Sequence, residues 1–560
     1  MSIAKGWPAL VALLALSACG GGGQGGGGNG GDPSVLSLMT SMPANGATAV
    51  ARNGSIVLTF STTLDPATVA HNVSLTTPAG NQTVITSFAG NTLTVAPLNK
   101  LAPLLSFRVT VDTGLRGTNG AALSTPLVLN FTTADQQWQT AARIEPVGPT
   151  TTENPHVAVD RQGNAIAVWQ RRDGVTRSIW SNRFAVGPGW GTPVQISVLS
   201  SANTDAELAD IAVDVSGNVT VVWQQLDNGL STIWSNRYIP GTGWGSPSQI
   251  QTRTAVTGDA FDPHIAVDAL GNALAIWSQF EGGVFEIWAN RNTAGAGWGT
   301  AVRVETNPGN ATNARVAFDA ASGRAFAVWN QGAGSQCLCV WSNQFTVGSG
   351  WGTPQMIASG SAVSAFAPAI AVDGLGNAYA VWSESADGHE FDVWSNRFAV
   401  GGTWGTAARV NDQMGGSGPP KIAADANGNA YAIWEQVQAN QAIPTIRWNA
   451  YRAGSGWGTP GLIALATDVA NGTGGNPSIA LDASGVANAM WEHDDGTQVH
   501  VRSSRLAPSA IDWSQPVDAR STEMSAGPNL AVDANGDITA VWEQLNDSAT
   551  GVAVWSNRFE

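Results

Sequence analysis

Two sets of positions in this chain combine a fixed spacing with residue types that could bind or cleave a polar ligand. The first set is His156, Asp210, His264, Arg315, Ala369, Lys421, Ser478 and Asn529, each four residues before the aspartate of a recurring phrase of the type IAVDxxGNAxAVW. The second is Arg171, Gln225, Gln279, Gln331, Glu384, Gln436, His493 and Gln544, each two residues after the tryptophan that closes the phrase. Imidazoles, amides, carboxylates and cationic heads supply directional donors and acceptors for hydroxyl-rich ligands. Paired carboxylates could also cleave a glycosidic bond, and Glu384 with Glu435 or Glu492 is the pair to weigh. Candidate ligand-binding residues are therefore His156, Asp210, His264, Arg315, Lys421, Arg171, Glu384 and His493, although the same groups could merely solvate a channel mouth. His156 and His264 lack the tight spacing of metal ligands, and no phosphate-cradling Gly loop or nucleophile elbow occurs, so neither a metal nor a cofactor is expected.

The elements that must position these residues follow from the repeat. Its aspartate stands at 160, 214, 268, 319, 373, 425, 482 and 533, a period of 51 to 57 residues. Each unit parses into four strand-like phrases, in the first copy PHVAVD, NAIAVWQ, SIWSNRF and WGTPVQI, with Gly-containing turns between several of them. Four short strands at this period form one blade of a β-propeller. The region begins with an isolated fourth phrase, QWQTAARI (137–144), and ends on a third phrase, VAVWSNRFE (552–560). The N-terminal phrase should complete the last blade as its outer strand and leave no sheet edge open, giving eight blades. Both candidate sets then fall at one end of the ring, where loops on a rigid scaffold carry specificity.

Residues that recur in every copy are expected to be scaffold. The tryptophans should fill the wedges between blades, the Asp of AVDxxGN should close the turn between the first two strands, and the Arg of WSNRF (Arg183, Arg237, Arg291, Arg397, Arg558) should stitch neighbouring turns. An aromatic platform for sugar rings is open only for the more exposed Trp of GWGTP. Cys337 and Cys339 lie on one side of an extended segment; two unrelated thiols on an ordinary strand are expected ahead of a local disulfide or a metal site.

Upstream of the repeats, WPALVALLALSA is an apolar export stretch too short to span a bilayer comfortably. Its end, LSAC (16–19), resembles the bacterial lipobox, which implies lipidation of Cys19 after cleavage behind residue 18. Gly20 in place of an inner-membrane retention Asp implies the outer membrane, and GGGGQGGGGNGG is a flexible tether within residues 19–34. The formal charge of -15, with lysine only at Lys5, Lys100 and Lys421, excludes a phosphate-holding stripe and hence nucleic acid.

Residues 35–134 alternate apolar and polar positions in short runs such as SIVLTF and FRVTV. Phrases such as FRVTVDTGLRGTNGAAL and LNFTTAD resemble the SbsA-type bacterial Ig-like domain, implying a small β-sandwich used as a spacer or adhesive unit. Asp65 and Asp112 are expected to satisfy local turns rather than to hold a cation.

The repeat line PxIAVDxxGNAxAVW…IWSNRF…GxGWGTP is similar to sialidase-like (BNR, Asp-box) propellers over residues 136–560. Trp190 and Pro193 match the end of that family's box, whose Asp is missing from FAVGPGWGTP. The resemblance implies an Arg triad, a Tyr nucleophile with a Glu partner and an Asp acid/base. All four tyrosines, Tyr238, Tyr379, Tyr431 and Tyr451, stand at recurring scaffold positions, so no catalytic residue is carried over and the chain is expected not to be an enzyme. The fold class is thus all-β: a small Ig-like β-sandwich followed by an eight-bladed β-propeller (135–560) with N-terminal outer-strand closure. The expected role is a lipid-anchored envelope protein binding a carbohydrate or protein ligand, with sialidase-like hydrolysis or a structural scaffold as alternatives.

Overall fold

A computed structural model describes residues 34–77, 80–98, 100–146, 148, 151–198, 204–227, 229–252, 257–320, 322–332, 337–412, 416–437, 444–463, 473–508, 510–519, 523–545 and 551–560. Cys19 and the export stretch lie outside them. The chain divides into two compact units, one of residues 1–98 with 105–133 and one of 99–104 with 134–560.

The first unit is a sandwich of two sheets. One orders Leu38–Met42, Ile56–Phe60, Thr92–Pro97 and Val84–Ala89; the other orders Ala47–Val50, Leu127–Thr133, Ser106–Val111, Val73–Thr77 and Gly80–Gln82. Alternation sends Ile56, Leu58 and Phe60 inward, where they meet Leu75, Leu93, Val95 and Val109 in the core. Asp65 caps the short helix Pro66–Val69, accepting from the Ala67 N–H at 3.0 Å, which is the local role its position suggested.

The second unit is a β-propeller whose described strands make eight consecutive blades. Blade 1 runs Thr151–Val159, Ala165–Asp173 and Thr176–Ala185, with Gly189–Trp190 and Val194–Gln195 outermost. Blade 8 runs Ser525–Val532, Ile538–Leu545 and Val552–Phe559, and its fourth strand is Ala142–Arg143 from the other end of the repeat region. Ala142 pairs with Ser556 and Arg143 with Trp555, so the ring is closed by hydrogen bonds.

The second strand of each blade is buried on both faces between its neighbours, which is why it reads as an unbroken apolar run such as AIAVW. Trp169, Trp223, Trp277, Trp329, Trp382, Trp434, Trp491 and Trp542 close these runs at 0% exposure. The outer Trp of GWGTP packs edge-on against the aromatic of WSNRF, as in Phe184–Trp190, Tyr238–Trp244 and Phe345–Trp351, with centroids 5.6 to 5.7 Å apart.

Blades are joined by side chains. The Asn of WSNRF is buried and donates to a carbonyl on the fourth strand of the preceding blade: Asn182 to Ile144 at 2.8 Å, Asn290 to Ile250 at 2.7 Å, Asn449 to Val410 at 2.8 Å and Asn557 to Ala519 at 3.0 Å. At the opposite edge of each sheet the AVDxxGN aspartate closes its turn. Asp268 Oδ1 accepts from Leu270 and Asn272 N–H at 2.9 Å each, and Oδ2 from Asn272 Nδ2 at 2.7 Å. The turn glycine is held to its type twice over. Gly271 sits at φ +80°, and a Cβ there would come within 2.8 Å of the preceding blade's Asp214.

Truncating Trp277 to Ala should destabilise the propeller by about 3–5 kcal/mol. Asn290→Ala, which orphans the Ile250 and Gly299 carbonyls, should cost about 1–3 kcal/mol. Urea unfolding followed by tryptophan fluorescence measures both, and an Asn290→Ala cost near zero would remove that side chain from the joints between blades.

Candidate functional site

The first strand of each blade begins at the same end of the ring at which the second strand finishes. Close to that start the pairing register slips by one residue. Opposite neighbours run Glu153–Gln170 and then His156–Val168, leaving one extra residue on the first strand, and the same bulge recurs at Glu207/Asp210, Phe261/His264, Thr312/Arg315, Phe366/Ala369, Gly475/Ser478 and Ala526/Asn529. Within it, Asn154, Leu208, Asp262, Asn313, Ala367, Asn476 and Gly527 take positive φ between 47 and 58°. Each bulge turns the following stretch toward the pore and presents the residue two positions on. Sequence reading missed it, although Asn, Asp or Gly before Pro or Ala in five of these copies is the signal that carries it.

The presented residues form a belt around the pore mouth. Asp210 lies between two imidazoles, 3.8 Å from His156 Nδ1 and 3.6 Å from His264 Nε2. Its Oδ2 also accepts from the Ile265 N–H of the next blade at 2.9 Å. His264 Nδ1 accepts from Val316 N–H at 3.3 Å, and Asn529 accepts from Val157 N–H at 3.1 Å. An acceptor Nδ1 places the neutral His264 proton on Nε2, facing Asp210. Arg315 pairs with Asp262 at 3.1 Å. Lys421, first residue of the strand Lys421–Ala424, is exposed to the pore and makes no ion pair among the described residues.

Burial lowers His156, His264 and Lys421 below their ordinary values. Asp210 opposes this at all three, and Arg315 adds to it. His156 and His264 side chains are nonetheless 38% and 30% exposed. Surface open to a narrow pore is still enclosed by protein walls that displace bulk water, so the two descriptions agree.

The second set has a different destination. Gln225, Gln279, Gln331, Gln436 and Gln544 are buried and accept the indole N–H of the tryptophan two residues earlier at 2.9 to 3.0 Å. Glu384 does the same for Trp382 at 2.7 Å and also accepts from the Ser359 N–H and hydroxyl. In blades 1 and 7 the acceptor is replaced by Arg171 and His493, and there the indoles of Trp169 and Trp491 have no partner among the described residues. The structure thus corrects the placement of three candidates. Glu384 and His493 are inside the sheets, 3% and 5% exposed, and Arg171 lies over the Trp180 ring at 4.5 Å with a hydrogen bond to Asp173.

Carboxylates gather one residue nearer the tryptophan. Glu435, Glu492 and Glu543 directly follow it in three successive blades, where the others carry Gln170, Gln224, Ser278, Asn330 and Ser383. Glu492 accepts from Gly527 N–H at 2.6 Å and Glu543 from Asn154 N–H at 2.7 Å, each bracing the next blade's bulge. Burial raises Glu435, and the Glu492 charge raises it further. Glu384 is held by Trp382 and Ser359, so neither acid pair weighed from sequence is formed; the structure instead couples Glu435 with Glu492.

Tyr379 and Tyr431 are 1% and 0% exposed. The Tyr379 hydroxyl bridges Asp373 at 3.0 Å and the Gly428 carbonyl at 2.8 Å, and burial raises it far above an ordinary phenol. In blade 2 the Arg of WSNRF does that work, Arg237 reaching Asp214 and the Gly271 carbonyl. Cys337 and Cys339 form a disulfide, which overturns the expectation of two separate thiols. Among the described residues no group of three His, Cys, Asp or Glu is arranged to hold a metal ion, and no helix is long and apolar enough to cross a membrane.

Residues 32–133 match the family described as Bacterial Ig-like domain. No curated protein matches the chain. Similar solved structures include a polysaccharide lyase (ulvan lyase), 10% identical over 65% of this chain and 96% of its own, with a TM-score of 0.43. A Fusarium graminearum α-L-arabinofuranosidase in complex with arabinobiose is 10% identical over 63% and 92%, TM-score 0.39, and a Hadza microbial sialidase 13% identical over 72% and 93%, TM-score 0.35. Likeness at this level concerns the fold alone.

The belt makes stability depend on pH in a definite direction. Because the folded imidazoles titrate below 6.5, the unfolded chain binds more protons in that range, and the histidines' contribution is complete above 6.5 and lost as pH falls through it. The raised carboxylates act in the opposite sense, so the comparison must be made against a variant. From about pH 7.5 to about pH 5.5, wild type should lose more urea stability than the His156→Gln/His264→Gln double variant. An equal loss in both would show that these two imidazoles are not held neutral by the fold.

Proposed function

We propose that the propeller is a binding module whose pore mouth recognises a carbohydrate through His156, Asp210, His264, Arg315 and Lys421. The observation carrying this reading is that one backbone feature, repeated in seven blades, presents side chains that do not repeat, while Lys421 stands at the same register in blade 6. Donors and acceptors of both charges converge there, partly exposed, and Lys421 lacks an ion-pair partner among the described residues. Such a set can hydrogen-bond hydroxyls and leave one cation for an acidic group. The export stretch and the LSAC motif support placing this module on the bacterial envelope, by a lipid at Cys19 and in the outer membrane, with the Ig-like domain, in its SbsA-type reading, as a spacer.

A second reading has one specific observation behind it. Glu435, raised by burial and by Glu492, beside a Glu492 that two hydrogen bonds hold as an acceptor, makes an acid and base pair of the kind that cleaves glycosidic bonds.

The test is a glycan array probed with the full chain and with Lys421→Gln and His156→Gln/His264→Gln/Arg315→Gln. Binding to a defined glycan class that falls about tenfold in Lys421→Gln, the worth of one charge-assisted hydrogen bond, is the expected result. A flat array from folded protein would overturn carbohydrate recognition in favour of a protein ligand. Turnover of a bound glycan that is lost in Glu435→Gln would establish the second reading.

A further inference from the structure

The Cys337–Cys339 disulfide stands where the third strand of blade 4, Leu338–Thr346, begins, at the pore-mouth end of the ring. A bond spanning one intervening residue removes little entropy from the unfolded chain. A fold already closed by its own strand pairing and wedged by eight buried indoles draws no evident stability from it. The residue between the cysteines joins two blades. Leu338 donates its N–H to the Val363 carbonyl at 3.2 Å and pairs in parallel with Ser364 at the start of blade 5. Through that bridge blades 4 and 5 form one nine-stranded sheet, whereas each of the other blades forms its own. The two cysteines are also unequal in exposure, Cys339 being 1% exposed and Cys337 only partly buried.

We propose that Cys337–Cys339 is a redox-active pair that exchanges with soluble thiols, and that its reduction releases the bridge between blades 4 and 5. A thiolate attacks Cys337 Sγ, the sulfur of the less buried cysteine, and the S–S electron pair leaves on Cys339, which takes a proton from water. A second thiolate attacks the outer sulfur of the mixed disulfide, releasing the Cys337 thiol, so two thiols become one external disulfide and the protein gains two thiols. The mechanical consequence follows from strand geometry. Alternate Cα atoms of an unconstrained strand lie about 6.6 Å apart, whereas Cys337 and Cys339 are held at 5.4 Å. Once released, the segment lengthens and carries the Leu338 N–H away from Val363. Val363 N–H remains bonded to Ser385 at 2.9 Å and Ser359 to Glu384, so blade 5 keeps its own sheet and only the seam opens.

The full chain is equilibrated in glutathione buffers of graded poise, its thiols are trapped with a maleimide and counted by mass, and amide exchange is read in parallel. Two labels should appear beyond any that Cys19 carries in the oxidised protein, while the tryptophan near-UV signal is unchanged, with Leu338 exchanging about tenfold faster or more and the Trp382 strand still protected. A disulfide that survives the most reducing glutathione buffer, or that yields labels only as the protein unfolds, overturns the exchange. Reduction without a change at Leu338 overturns the release. Cys337→Ser/Cys339→Ser should match the reduced protein in exchange, and if that variant does not fold, the titration of the native chain decides alone.

Discussion

A completely buried indole leaves one polar atom in want of an acceptor, and the pore-mouth end of six of the eight blades is arranged around that requirement. Desolvating an N–H without a partner costs about 1–3 kcal/mol, and the ring contains eight such indoles at full burial. In six blades the residue two positions on supplies the acceptor from the same strand, an amide in five and Glu384 in the sixth. Anchoring that side chain to the indole withdraws it from solvent. A register that reads as a row of exposed polar groups is thereby consumed by packing, and ligand chemistry is left to the strand next to the pore.

The other end of the ring shows the same economy of position, solved with different residues. In blades 2, 4 and 5 a donor reaches the turn aspartate of its own blade and the turn-glycine carbonyl of the next. Arg237 provides it in blade 2, bonding Asp214 and Gly271. Blade 4 has Gln344 at that place in WSNQF, and Arg324, twenty residues earlier, brings its guanidinium to Asp319 and the Gly376 carbonyl instead. Blade 5 uses the Tyr379 hydroxyl for Asp373 and Gly428, with Arg397 behind it. The guanidinium or phenol is interchangeable because the fold specifies a point in space between two turns. Tyr379 is thereby spent on a joint.

Much of this architecture was legible in the chain because its period is strict. Eight spaced aspartates, a displaced fourth strand at the start and a missing one at the end determine the blade number and the closure without any side-chain geometry. The Asp turns and the Arg stitches were readable for the same reason, since a residue that recurs at one register meets one environment. Burial at a given register was less readable. Arg171, Glu384 and His493 look like pore residues because polarity suggests exposure, yet polarity there serves an indole N–H, which periodicity alone does not reveal. The Asn of WSNRF was passed over for the opposite reason: between a Ser and an Arg it looks like surface, while it is buried at 2 to 4% in blades 1 to 5 to reach another blade. Cys337 and Cys339 were misjudged because a regular strand holds alternate Cα atoms slightly farther apart than the bulk of disulfides, whereas Cys337 stands just before the strand Leu338–Thr346 rather than within it.

What makes the pore mouth the place where copies diverge is the bulge. A non-glycine residue at positive φ is disfavoured by about 1–2 kcal/mol, and seven blades adopt the conformation at one register, six of them without glycine. A defect kept at this cost across a repeat must be held by its surroundings. Two of the holding groups are visible, Glu492 on the Gly527 N–H and Glu543 on the Asn154 N–H. The residue presented two positions later then has a fixed direction, and at three joints its side chain in turn accepts a backbone N–H of the next blade, Asp210 from Ile265, His264 from Val316 and Asn529 from Val157, a task that several acceptor types can fill. His156, Asp210, His264 and Arg315 can differ while the chain beneath them does not. A scaffold that fixes direction and frees identity lets eight near-identical units assemble one asymmetric set of charges, and it explains why that asymmetry sits at the pore rather than on the outer tryptophans, whose edges are already packed against the aromatics of their own third strands.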